Sequence, residues 1–422
     1  MSTLPKESAL PSESTNPFPS KTDEVPFYAD YLDSVRALRS SLIDAFEHLQ
    51  IDSQRPREAA RQLGLDKSLA WKVTRIIHED QAPKIAACVP GTSGMKRVTQ
   101  SLAERALPVH VVESITDAYL NYQHMTETHA SDKNSFELML EGMGVEEDDG
   151  NRKSREYAYR GNCGIWGIQS GVRVSAHMLA INKDDPSVLD YAGFGGLTGF
   201  QRLRPGQRWP IFQFLMYEDT GEPMRSNMRP ISESPDPSFP LIIQEFCKGP
   251  MPELHLARHE KVTQYEFGDG IIGKTGSSDV FLGYIDDEPK PRYQSESNEF
   301  GEIMCLIDTP IETLMFDLIV DKELADKINP ELAIYGRASG PQYGPERRAN
   351  KNLMPFTEPL KFLNPGAHML TTPLVPTYAQ LGERVINKMG RSMDDVVCWR
   401  LLMNYPIMPS TVAMKFKLET AD

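Results

Sequence analysis

Long apolar runs are missing from this 422-residue sequence. No stretch approaches the ~18 continuous apolar residues of a membrane span, so no membrane partner is expected. An export leader, with a charged start and a short apolar stretch, is also missing from the first residues, and a cytoplasmic address is the expectation. Cysteine is scarce and dispersed: Cys88, Cys163, Cys247, Cys305 and Cys398, with no CxxC pair. That pattern excludes a disulfide framework and a cysteine-based zinc site, and no metal or cofactor is expected. A GxSxG elbow is absent, which leaves serine-hydrolase chemistry without an anchor. Positive charge is in deficit, with a formal net charge of −14. The chain as a whole should repel nucleic acid, and any attraction to a polyanion has to come from a local patch.

What is present is a soluble-type composition, 40% hydrophobic and 25% charged, in a chain too long for one ordinary core. Residues 1–26 are dominated by Pro, Ser, Thr and charge and are expected to be a disordered tail. Residues 27–143 have helical periodicity, with Leu38, Leu42, Ile43, Phe46 and Leu49 in one run and Val109, Val112, Ile115, Ala118 and Tyr119 in another. Residues 144–154, acidic and aperiodic, are expected to be a linker. From 155 to 422 the character changes. Residues 171–181 alternate Val172, Val174, Ala176 and Met178 on one side, as a half-buried strand does. Strands are expected at 302–308 and 313–321, joined by a tight turn at Pro310, and as a closing pair around 398–407 and 411–418. A helix is expected at Thr377–Met389. The fold class is therefore multidomain: an N-terminal all-α domain followed by a strand-rich α+β domain.

The segment EFGDGIIGKTGSSDVF, residues 266–281, holds Gly268, Gly273, Lys274 and Thr275 in the spacing of a nucleotide-binding phosphate loop. Such a loop works by delivering backbone N–H groups and a helix N-terminus to the phosphates. Here the chain continues with Gly276, Ser277, Ser278, Asp279, Val280 and Phe281, which favour a strand. The apolar run ending in Asp308 imitates the magnesium-side motif, but such runs are common. The expectation is a glycine-rich hairpin, with a nucleotide-binding hydrolase kept as the alternative.

Residues 55–77 carry a more complete pattern. Pro56 suits a first helical turn, Ala59, Ala60 and Leu63 share a face, and Gly64 suits a left-handed helix end. Leu65 re-enters the core, and Asp66 is a good N-cap for a second helix whose Leu69, Ala70, Val73, Ile76 and Ile77 face inward. The run Arg36–Leu49 supplies a third helix to bury the pair. On the spacing of Ala60, Gly64, Leu65, Ala70 and Val73, about twenty residues, the segment resembles the helix-turn-helix of bacterial transcription regulators.

That resemblance implies a second helix lying in the major groove of double-stranded DNA, presenting Lys67, Ser68, Trp71, Lys72 and Arg75. Trp71 is the unusual member, a contact residue if exposed, and it is expected to pack against a neighbouring helix. Between Ser53 and Leu107 there are ten basic residues (Arg55, Arg57, Arg61, Lys67, Lys72, Arg75, Lys84, Lys96, Arg97 and Arg105) against five acidic ones (Glu58, Asp66, Glu79, Asp80 and Glu104). This local excess in an acidic chain is an electrostatic footprint for DNA; the bland counterpart is a packing module with a solvated basic face. Thr92 or Ser93 is placed to cap a further helix carrying Lys96 and Arg97, and Val109–Met125, with Ile115, Tyr119 and Tyr122, offers a homodimer surface.

Other constellations carry less. His255 and His259 on an alternating strand lie ~13 Å apart, too far to share one ion. Cys163 in YRGNCGIWG, residues 159–167, is expected to be buried and inert among tight turns. The basic loops 202–208 and 344–351 are expected to be solvated. The sequence thus points to a non-enzymatic DNA-binding regulator, with residues 155–422 sensing a small-molecule or protein effector. A nucleotide hydrolase or a plain assembly protein are the alternatives.

Overall fold

The protein is seen in a computed structural model that describes residues 26–105, 107–141, 150–206, 208–214, 227–259, 262–295, 299–336, 352–355 and 358–421. The expected tail, apart from Pro26, and the basic loop 344–351 lie outside the described residues. So does the expected linker, except for 150–154, which form the first turn of a helix. The chain divides into two compact units, Met1–Glu147 and Asp148–Asp422. Helices fill the first part, to about residue 166, and strands dominate the rest. No helix among the described residues is long and apolar enough to cross a membrane.

The first unit comprises α1 (Phe27–His48), α2 (Pro56–Leu63), α3 (Lys67–His78), α4 (Ala82–Ile85), α5 (Thr92–Ala103), α6 (Val109–His129) and α7 (Lys133–Glu141). Its core runs from Leu38, Leu42 and Phe46 of α1 through Ala59, Ala60, Leu63, Ala70, Val73 and Ile76 to Val98, Leu102 and Ile115. Each Leu, Ile, Val or Phe side chain so buried contributes roughly 1.5–3 kcal/mol. The α6 face carrying Ile115, Tyr119 and Tyr122 is buried in this core, which corrects its reading as a dimer surface. The α5 N-terminus is a second correction: Gly91 is the cap residue, without a side-chain bond, and Thr92 Oγ1 instead accepts a bond from Gln123 Nε2 at 3.1 Å.

The second unit begins with α8 (Gly150–Trp166) and continues with β1 (Ile168–Ile181), β2 (Val188–Arg202), β3 (Trp209–Phe214), β4 (Met228–Pro230), β5 (Leu254–His259) and β6 (Val262–Phe267). Then come β7 (Ser278–Pro291), β8 (Phe300–Ile307), β9 (Ile311–Asp321), α9 (Lys322–Ala325), β10 (Glu331–Gly336), β11 (Leu360–Leu363), α10 (Tyr378–Lys388), β12 (Val396–Asn404) and β13 (Ser410–Lys417). The main sheet has the order β11-β12-β9-β1-β2-β7-β4; two smaller sheets are β10-β13-β8 and β3-β6-β5. Among the described strands, all pairs are antiparallel except β1 with β9.

One face of the main sheet sets Val174, Ala176, Met178, Met315 and Ile319 against Tyr378, Leu381 and Val385 of α10. The other sets Leu314, Phe316 and Leu318 against Ile211 and Phe212 of β3, Cys305 and Ile307 of β8, and Val412 and Met414 of β13. The expected closing pair is therefore not a pair. β12 lies in the main sheet and β13 in a small one, and β8 and β9 divide in the same way. Ser410 pairs with Ile307, and the Tyr405 N–H donates to Glu312 O at 2.7 Å, so the two crossings form one corner between layers.

α8 corrects the expectation of tight turns around Cys163. The segment is the last turns of a helix, with Arg155, Tyr159 and Cys163 buried along one line and Gly161 and Gly164 on the exposed side. Only Gly167, at φ 68°, leaves the helical region and ends it.

Candidate nucleic-acid interface

The α2–α3 pair is fixed by both of its ends. Gly64 closes α2 at φ 64° and ψ 26°, a conformation that costs a side chain-bearing residue about 1–2 kcal/mol. Asp66 then caps α3, accepting the Leu69 N–H at 2.9 Å. The last carbonyls of each helix are held by a cation from elsewhere in the unit. Arg105 of the α5 end donates to Gln62 O at 2.5 Å, and Arg39 of α1 donates Nε–H to Ile76 O at 2.9 Å and also bonds Glu79 O. A guanidinium at a helix C-terminus satisfies orphan carbonyls and complements the dipole. The angle at which α3 leaves the unit is thereby set by side chains sequence-distant from it.

With Leu69, Ala70, Val73 and Ile76 buried, the opposite stripe of α3 faces outward. Lys67, Ser68 and Arg75 are exposed and Lys72 is half-buried. Trp71 is 49% exposed, which corrects the expectation that it packs against a helix; the Arg75 guanidinium lies 6.0 Å from its ring centroid. Arg75 is also held by the Glu79 carboxylate, which accepts the Gln81 N–H as well. Among the described residues, Lys67 and Lys72 have no ion-pair partner. The rest of the basic excess is partly engaged: Arg55 and Arg61 with Glu58, and Arg97 with Asp66 at 3.3 Å.

The segment resembling a phosphate loop is arranged differently from one. The Gly268 N–H donates to Glu253 O, Gly273 N–H to Arg202 O, and Gly276 N–H to Gly273 O. Lys274 and Thr275 lie in a three-residue 3-10 turn, Lys274–Gly276, which leads straight into β7. The Gly273 amide is spent on the protein's own Arg202 carbonyl, and no helix follows to add its dipole. The expected hairpin is also corrected: β6 pairs with β3 and β5, β7 with β2 and β4, and the loop joins two sheets. Arg202 of the basic loop 202–208 is buried and donates to Phe267 O at 3.2 Å, so that residue is not solvated. His255 lies on strand β5, and among the described residues no group of three His, Cys, Asp or Glu is placed to hold a metal ion.

A polar row that sequence reasoning missed lies on β1. The alternation of Val172, Val174, Ala176 and Met178 implies that Arg173, Ser175 and His177 face water. They are half-buried instead, because β3 and β8 cover that face too. Ser175 Oγ lies 2.9 Å from His177 Nε2, and His177 Nδ1 lies 2.6 Å from the Tyr191 hydroxyl. Tyr191 reaches Tyr284 at 3.5 Å, whose ring occupies the place of a side chain at Gly193; a Cβ there would be 2.6 Å from the Tyr284 hydroxyl. Burial, reinforced by the Arg173 charge, pushes His177 down to about 3, so the imidazole is neutral. Burial pushes Tyr284 up to about 12 and Tyr191 well above its ordinary value. Burial likewise raises the Cys305 thiol, against the opposing pull of Arg173 and the Ser175 hydroxyl beside it. The signal available beforehand was three polar residues at period two inside a long strand.

No family model matches the chain, and no curated protein matches it. Among solved structures it is similar to a crystal structure of a candidate protease from Parabacteroides distasonis ATCC 8503, with 9% identity and a TM-score of 0.26. The similarity covers 59% of this chain and 40% of that one, and so slight a likeness carries no argument.

Proposed function

We propose that this protein is a DNA-binding regulator whose α2–α3 pair acts as a helix-turn-helix. The second unit then serves to sense an effector or partner. The observation that carries the reading is the outward stripe of α3: Lys67, Ser68, Trp71, Lys72 and Arg75 present cationic, hydroxyl and aromatic groups along one helix whose other face is buried. A helix so displayed fits the major groove, with lysines contacting phosphates and Ser68, Trp71 and Arg75 facing base edges. The acidic balance of the whole chain limits non-specific attachment elsewhere. In a homodimer, two such helices would read half-sites one helical turn apart.

The test is fluorescence anisotropy of the full chain against mixed-sequence and genomic duplexes. Salt-sensitive binding, abolished by Lys67→Glu with Lys72→Glu, is the expected result. Absence of binding, or binding indifferent to that double reversal, removes α3 from the role.

A further inference from the structure

We propose that Arg173, Ser175 and His177 form a binding site for a small oxyanion, a carboxylate or a phosphate, on the inner face of β1 where β3 and β8 cover it. Arg173 stacks on Phe212, 5.0 Å from the ring centroid, and donates Nη1–H to Ile211 O at 2.7 Å. Its Nε is buried with no hydrogen-bond partner, and among the described residues no carboxylate lies within ion-pair distance of it. Its sheet neighbours on that face are Leu314, Phe316 and Leu318, directly beside Arg173, Ser175 and His177 in register. Three enclosed arginines of this unit have carboxylate partners, Arg400 with Asp317, Arg391 with Asp321 and Arg292 with Glu419, while Arg202 is held by the Phe267 and Gly268 carbonyls. Arg173 departs from the pattern of those three, and interior charges are ordinarily paired.

The hydroxyl chain beside it has the right polarity to complete such a site. A neutral His177 donates through one nitrogen and accepts through the other. With the Tyr191 hydroxyl donating to Nδ1 and Nε2–H donating to Ser175 Oγ, the Ser175 proton is left facing the Cys305 sulfur, from which it turns to an anion when one is bound by the guanidinium. Tyr284 extends the chain behind Tyr191. Each donor in such a sequence strengthens the next. An oxyanion held this way receives the Arg173 fork and one neutral O–H, the combination that suits carboxylates and phosphates.

The test measures thermal unfolding of the full chain in acetate and in phosphate, each against chloride at matched ionic strength. A saturable rise in Tm, reaching about 5 °C, is expected with at least one of the two anions, and the stronger of the two identifies the ligand class. Arg173→Gln abolishes the rise, Arg173→Lys weakens it, and Lys361→Gln, which removes an exposed charge on β11, leaves it intact. No anion-specific rise in the wild type, or an equal rise in Arg173→Gln, overturns the proposal. If Arg173→Gln does not fold, Ser175→Ala decides: a several-fold weaker apparent affinity supports the site, and an unchanged one refutes it.

Discussion

Removing the two unpaired lysines of α3 tests the DNA reading quantitatively. Lys67 is exposed and Lys72 half-buried, and neither has an ion-pair partner among the described residues. Each is therefore available to replace one condensed cation on a phosphate, and each such contact contributes about 0.9 to the slope of log K against log salt. Lys67→Gln with Lys72→Gln should flatten that slope by about 1.8. Between 50 and 200 mM salt, that difference makes the wild type lose about twelvefold more affinity than the variant. Arg75 is predicted to behave differently. Its guanidinium is already compensated by Glu79, whose side chain is only 10% exposed. Turning Arg75 to a phosphate strands that carboxylate, so Arg75→Gln should change the slope by less than one lysine does. The assay is anisotropy with a labelled duplex over a salt series, with circular dichroism to confirm that the helices are intact. An unchanged slope in the double lysine variant, or a larger change from Arg75→Gln than from both lysines, would refute the assignment of charges on α3.

Gly64→Ala should cost about 1 kcal/mol in urea unfolding followed by helical circular dichroism, because its φ is left-handed, whereas Gly64→Asn should cost less; an Ala variant as stable as wild type contradicts the turn. Arg400→Met leaves Asp317, at 0% exposure, without its guanidinium and should destabilise by about 3–5 kcal/mol, with Asp317→Asn in the same chain restoring part of the loss. His177 makes stability depend on pH. Its folded value near 3 lies below the ordinary 6.5, so as pH falls from 6.5 towards 3 the unfolded chain takes up a proton that the folded one refuses. Stability should therefore fall across that window, by up to about 1.4 kcal/mol per pH unit, and His177→Gln should flatten the dependence. An identical pH profile for the variant would mean that the imidazole is not held neutral.

The local features of the first unit were legible because they obey local rules. Pro56 at the first turn, Gly64 at the left-handed end and the Asp66 cap each act over three or four residues, and each appears as spelled. The α10 helix followed from its periodicity, since Tyr378, Leu381, Val385 and Ile386 mark one face. The strand runs were readable for the same reason, but not their partners. β12 and β13 are neighbours in sequence and lie in different sheets, because a corner is decided by the layers on either side of it. Glycine misled at residues 161 and 164, where a helix tolerates it on an exposed side because the opposite line is buried.

The sequence by itself determined the helical first part, the strand-rich remainder, the two-helix turn at Gly64 and the absence of a helix after Thr275, since backbone preference and periodicity act within a few residues. Tertiary structure alone decided which polar groups face water. It closed a second layer over Arg173, Ser175 and His177, engaged Arg75 with Glu79, and left Trp71 uncovered. Desolvation and ion pairing depend on what the rest of the chain brings alongside, and no periodicity within a single strand or helix encodes that.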